Sequence, residues 1–192
     1  MLKLQLPKWM LKFPGDLYCC WRPLFLSYKP KFHKIKGEEI RMILNDIKPG
    51  DILFRRYDGY LDTILMSISS FWCHAAIYVG DNNVIQAVGT GVNSEDILNF
   101  CRCDSLALYR PSVTYNQVVY AIDKAKELVK EKAQYDWKFE SENSNFYCSE
   151  LVDTCYNNIF KDDYDYVLGN NILTPDGLSN SNLVTCIHKF VH

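Results

Sequence analysis

The sequence has almost no excess charge. Its 21 Lys and Arg stand against 23 Asp and Glu, a net −2 over 192 residues, without the basic face or high isoelectric point that accompanies nucleic-acid binding. It contains no stretch approaching the roughly 20 apolar residues that span a bilayer, and its start lacks an apolar run followed by a small-residue cleavage site. The expectation is a protein with no nucleic-acid partner, neither secreted nor membrane-spanning. No internal repeat and no low-complexity segment is present, so the 48% hydrophobic residues point to a single domain with a proper core.

Cysteine, by contrast, is plentiful. Eight in a chain of this length, rich in core-type residues and without a signal peptide, read as reduced thiols in a cytoplasmic protein rather than as a disulfide scaffold. Cys101-x-Cys103 invites a zinc site, but one intervening residue is below the two to four usual between structural zinc ligands. No metal and no cofactor is expected.

Charge and composition shift along the chain. Residues 1–36 hold eight basic residues against Asp16 alone, leaving the remainder at −9. Pro7, Pro14, Pro23 and Pro30 forbid one long helix there, and aromatic residues are interleaved with the lysines. The segment reads as a basic, aromatic N-terminal arm, irregular or made of a few short turns. Packing of this arm on the domain as a lid is favoured over peripheral contact with a membrane surface, which the same composition also suits. Residues 37–192 read as the compact domain.

Within that domain Glu38–Leu44 suits a short helix, and Lys48-Pro49-Gly50-Asp51 a turn running into the strand Ile52-Leu53-Phe54. Tyr60–Ser70 has helical spacing. Ala75–Val79 and Val84–Val88 read as an antiparallel pair joined by Gly80-Asp81-Asn82-Asn83. Leu106–Tyr109 is a further strand. Tyr115–Lys132 is the clearest helix, with Val118, Val119, Ile122, Ala125, Leu128 and Val129 as its apolar stripe. Another helix is expected from Cys148 to about Asn157, then a polar stretch over 161–182 broken at Thr174-Pro175-Asp176-Gly177, and a short apolar tail.

The chemistry concentrates at two of these boundaries. A helix N-terminus and a neighbouring imidazolium both stabilise a thiolate, and Cys148 stands where the Ser149-Glu150-Leu151-Val152 helix begins, after a polar loop. The backbone N–H there is also a candidate oxyanion donor. His74 opens an apolar strand, a rigid platform for a base. Gln86 lies on the partner strand, placed to accept a hydrogen bond from the far imidazole nitrogen and orient the ring.

Lys48-Pro49-Gly50-Asp51-Ile52-Leu53, His74–Gly80, Val84-Ile85-Gln86-Ala87, Tyr135-Asp136-Trp137 and Tyr147–Val152 together resemble the YiiX-like permuted NlpC-type cysteine hydrolases, in that family's order. The resemblance implies an α+β, circularly permuted papain-like fold, with an antiparallel sheet carrying the histidine and packed against helices, one of which starts at the cysteine. The lecithin retinol acyltransferase group is similar in placing histidine before cysteine. Tyr135 matches a tyrosine that faces the active site in NlpC-type relatives, which makes it a candidate oxyanion or substrate contact. One departure stands out: the third polar residue in this family is usually Glu, and here it is Gln86, which orients His74 without stabilising an imidazolium by charge.

The expected activity is hydrolysis of an amide through a thioester on Cys148, with His74 as general base. The substrate classes are a peptide, a cell-wall fragment or a lipid amide. An acyltransferase acting on lipid, with an alcohol or amine as acceptor, is the nearest alternative, and a catalytically inactive binding protein of the same fold is the rival from another class.

Overall fold

The computed structural model describes residues 15–21, 24–30, 33–58, 71–137, 139, 144–167 and 170–192. The helix expected over Tyr60–Ser70 lies outside the described residues. The chain divides into two compact units, Met1–His33 and Lys34–His192.

The smaller unit holds β1 (Gly15–Trp21) and β2 (Leu24–Pro30), paired antiparallel from Gly15↔Pro30 to Trp21↔Leu24. This corrects the expectation of an irregular arm. Prolines exclude a helix, but Pro14 immediately precedes β1 and Pro30 ends β2, and strand ends tolerate the missing donor.

The larger unit begins with α1 (Gly37–Asp46) and then builds one six-stranded antiparallel sheet. In chain order its first strands are β3 (Ile52–Arg56), β4 (His74–Gly80), β5 (Asn83–Val88) and β6 (Gly91–Asp96). The short α2 (Ile97–Phe100) leads to β7 (Ser105–Pro111), α3 (Tyr115–Glu131) and α4 (Cys148–Cys155). A small hairpin, β8 (Asp165–Val167) and β9 (Asn170–Ile172), precedes α5 (Pro175–Asn180) and the last strand, β10 (Val184–Phe190). The spatial order is β10-β7-β3-β4-β5-β6, so the strand that carries His74 is central.

Two local devices set the register near the site. Asp81 and Asn82 both take positive φ, 51° and 60°, as a type I′ hairpin turn requires, and this closes β4 onto β5. At the start of β3, Gly50 has φ +93°, and a Cβ there would approach Val118 to 2.6 Å. The turn is held by Arg110, which donates through Nε and one terminal nitrogen to the two carboxylate oxygens of Asp51, and by Tyr156 donating to the Gly50 carbonyl.

Side chains alternate across the sheet, and both faces are covered. Ile52 and Phe54 of β3, Ala75 and Ile77 of β4 and Ile85 of β5 meet Ala121, Ala125 and Leu128 of α3 and Leu151 and Val152 of α4. Leu53, Ala76, Tyr78, Val84 and Leu106 point the other way, toward Ile43 of α1 and Ile97 and Phe100 of α2. Within α3 the buried stripe runs through Ala121, while Val119, assigned to the stripe from spacing, is exposed. Among the described residues no helix is long and apolar enough to cross a membrane.

Candidate active site

His74 is the first residue of β4, paired across the sheet with Arg55 of β3. Cys148 is the first residue of α4, with Tyr147 as its N-cap and Glu150 reaching back to the Tyr147 N–H at 3.4 Å. The start of α4 is fastened to a distant segment. Ser149 Oγ donates to the Leu173 carbonyl at 2.6 Å, and the Leu173 N–H donates to Tyr147 Oη at 3.0 Å. Helix and strand meet at the cavity that His74 and Cys148 both line.

Behind the imidazole stands a polar chain. Gln86 Oε1 lies 2.7 Å from His74 Nε2 and also accepts from an Arg55 terminal nitrogen at 3.1 Å. Gln86 Nε2 donates to Glu95 Oε2 at 2.8 Å, and Arg55 donates to the same carboxylate at 3.2 Å. The Arg55 guanidinium lies over the Phe100 ring, 4.3 Å from its centroid. Sequence reasoning placed Gln86 beside His74 but missed Arg55 and Glu95. Glu95 lies on β6, a strand too polar to be legible as one.

Both members of the Cys148–His74 pair are held toward their neutral forms. Burial, and then the Arg55 guanidinium, push the imidazole down to about 3, against the opposing hydrogen bond from Gln86. Burial pushes the Cys148 thiol up, and the nearby Ala75 and Ser149 donors offset part of this. Desolvation thus opposes the helix terminus at this thiol.

Cys148, His74 and Tyr135 line one cavity of about 210 Å³. The bridge between Tyr135 and Phe146 carries Tyr135 alongside the residues that lead into Cys148. Burial above all pushes its phenol above the usual range, so it keeps its proton and remains a donor. The remaining walls are mostly apolar, with Val88, Trp137, Phe139, Ile172, Leu173 and Pro175 beside the hydroxyl residues Tyr147, Ser149 and Thr174, and among the described residues no Asp, Glu, Lys or Arg lines it. Trp137 packs on Tyr135 at 4.7 Å between ring centroids.

Cys101 and Cys103, the pair that invited a zinc reading, sit in the core on the far face. Both are fully buried, their thiols pushed up to about 12 chiefly by burial, and Cys103 donates to the Ser105 carbonyl. Among the described residues no group of three or more His, Cys, Asp or Glu comes together to hold a metal ion.

A cysteine at a helix start, an imidazole on the central strand of an antiparallel sheet and a carboxamide behind it define a papain-like arrangement, with histidine preceding cysteine in the chain. Residues 46–186 match the family described as permuted papain-like amidase enzyme, YaeF/YiiX, C92, and the chain belongs to this family. The resemblance and the fold expected from the sequence are both met. The crystal structure of the metalloprotein YiiX from Escherichia coli O157:H7 is similar with a TM-score of 0.62 over 76% of this chain and 98% of that one. At 17% identity this likeness is one of fold. No curated protein sequence matches the chain.

Proposed function

We propose that the protein is a cysteine-dependent amidase in which Cys148 is the nucleophile, His74 its base and Gln86 the group that orients the base. The carrying observation is that Cys148 and His74 share the wall of one cavity, with Gln86 Oε1 2.7 Å from His74 Nε2. Membership of an amidase family supports the reaction class.

The step starts from a neutral pair. As the Cys148 sulfur attacks the amide carbonyl carbon, its proton passes to His74, which returns it to the departing amine when the C–N bond breaks. The Cys148 N–H at the start of α4 and the Tyr135 phenol stabilise the oxyanion. Water, deprotonated by His74, then attacks the thioester, releasing a carboxylic acid and restoring the thiol. The aromatic and aliphatic side chains among the described wall residues favour a substrate with an apolar group beside the amide, a lipid amide or an apolar peptide, over a charged cell-wall fragment. An amine or alcohol in place of water gives acyl transfer, which an added acceptor reveals. Free thiols at 73, 101, 103, 148, 155 and 186 support a cytoplasmic setting.

The test is iodoacetamide labelling mapped to each cysteine in the native protein and in His74→Ala. Cys148 is expected to label faster than buried Cys101, Cys103 and Cys155. In the variant its rate should fall by about tenfold or more while that of exposed Cys186 does not change. A Cys148 rate that ignores His74 leaves a binding protein of the same fold.

A further inference from the structure

We infer that Arg55 and Glu95 are positioning residues that fix which end of the Gln86 carboxamide faces His74, and thereby hold the imidazole with its proton on Nε2 and its lone pair on Nδ1. The effect on rate rests on the function proposed above, but the tautomer does not.

A carboxamide is ambiguous by itself. One end accepts and the other donates, so a neutral glutamine beside an imidazole accommodates either tautomer by turning over. A carboxylate has no such ambiguity, since both of its oxygens accept. Glutamine at position 86 therefore needs something else to choose its orientation.

Two charged neighbours make that choice, because each can play one role only. Guanidinium has donors and no acceptor, so Arg55, 3.1 Å from Oε1, can meet only the carbonyl end. An ionised carboxylate has acceptors and no donor, so Glu95, 2.8 Å from Nε2, can meet only the amide end. Turning the amide over would set NH₂ against guanidinium and carbonyl against carboxylate, replacing two charge-assisted hydrogen bonds with two repulsive contacts. Gln86 is 4% exposed and Arg55 9%, so little water reaches the carboxamide and the guanidinium, while the Glu95 carboxylate is partly open to solvent. Arg55 is itself held from two sides, by Glu95 and by the Phe100 ring.

With the amide fixed, Oε1 is the atom at 2.7 Å from His74 Nε2, and that nitrogen has to be the donor. Nδ1 is left as the basic nitrogen. The charged pair thus supplies, at one remove, the orientation that a glutamate at position 86 would supply directly.

The experiment is a long-range ¹H–¹⁵N correlation spectrum of the histidine side chains in the full-length protein, with His74 assigned by its loss in His74→Ala. Cys148 alkylation is measured alongside it. Native protein and Glu95→Gln, which still accepts from Gln86, should both show Nε2 protonated and Nδ1 bare. Glu95→Leu should show an averaged mixture, with Cys148 labelling reduced about twofold or more as the competent tautomer falls toward half its population. Should Glu95→Leu fail to fold, Arg55→Leu reads the same lock from its other side. A native ring protonated on Nδ1, or a folded leucine variant that keeps the single Nε2-protonated form, overturns the inference. Failure of the catalytic reading shows separately, as Cys148 labelling that does not respond to His74→Ala, and the tautomer spectrum decides the positioning role in either case.

Discussion

Asp176 accepts the backbone N–H of Phe71 at 2.7 Å on one carboxylate oxygen and that of Trp72 at 3.2 Å on the other. The first turn of α5 therefore holds the two residues that precede Cys73 and His74, and Thr174 caps the same helix through the Gly177 N–H at 2.9 Å. In Asp176→Ala both part-buried donors lose this charged acceptor. The expected loss of stability is about 2 kcal/mol, read from urea unfolding, with Asp176→Asn recovering part of it because one amide oxygen remains.

Burial of His74 makes stability depend on pH in a defined direction. Its folded-state value is near 3 and its unfolded value near 6.5, so between these the unfolded chain binds a proton that the folded chain refuses. Stability contributed at this position is complete above about pH 7 and is lost as pH falls toward 3, by on the order of several kcal/mol. Glu150 acts in the opposite sense. Burial pushes it up to about 7, so the folded chain keeps a proton that the unfolded one releases above 4.5, and stability falls as pH rises through that window. The difference between native protein and His74→Leu therefore isolates the histidine. Urea midpoints from pH 4 to 7.5 should drop toward acid more steeply for the native protein than for the variant.

Tyr135 carries its phenol into the cavity with the proton retained. If it donates to the oxyanion, Tyr135→Phe should lower kcat by about 10- to 100-fold with KM little changed, measured by steady-state hydrolysis of an apolar amide. A rise in KM with kcat intact would assign the phenol to substrate contact instead.

How much of this could be read from the sequence depends on how strongly each element is patterned. The segments that became β3, β4, β5, β7, α3 and α4 carry apolar runs or stripes with clear turn signals, and the sequence places all of them. The strand β6, Gly-Val-Asn-Ser-Glu-Asp, is legible only in context. Its residues alternate between exposed and half-buried beyond Val92, and its place comes from the backbone ladder it forms with β5. Missing β6 meant missing Glu95 and the hydrogen bond it accepts from Gln86. The tail that read only as apolar is the edge strand β10, whose pairing with β7 slips between Cys186 and His188. The proximity of Cys148 and His74 followed from the family pattern, but their protonation states did not, because desolvation is a property of the assembled core. Asp176 gave no local signal, since its partners lie more than a hundred residues away.

The core thiols on both sides of the sheet give the molecule an internal clock. Cys101 and Cys103 on one face and Cys155 on the other are wholly shielded, so a reagent reaches them only when the structure opens around them. In an alkylation time course their rates report the frequency of that opening, at the same time as Cys148 reports its own chemistry. A substitution that slows Cys148 while leaving the other three on schedule has changed the reactive centre, and one that hastens all three has loosened the fold.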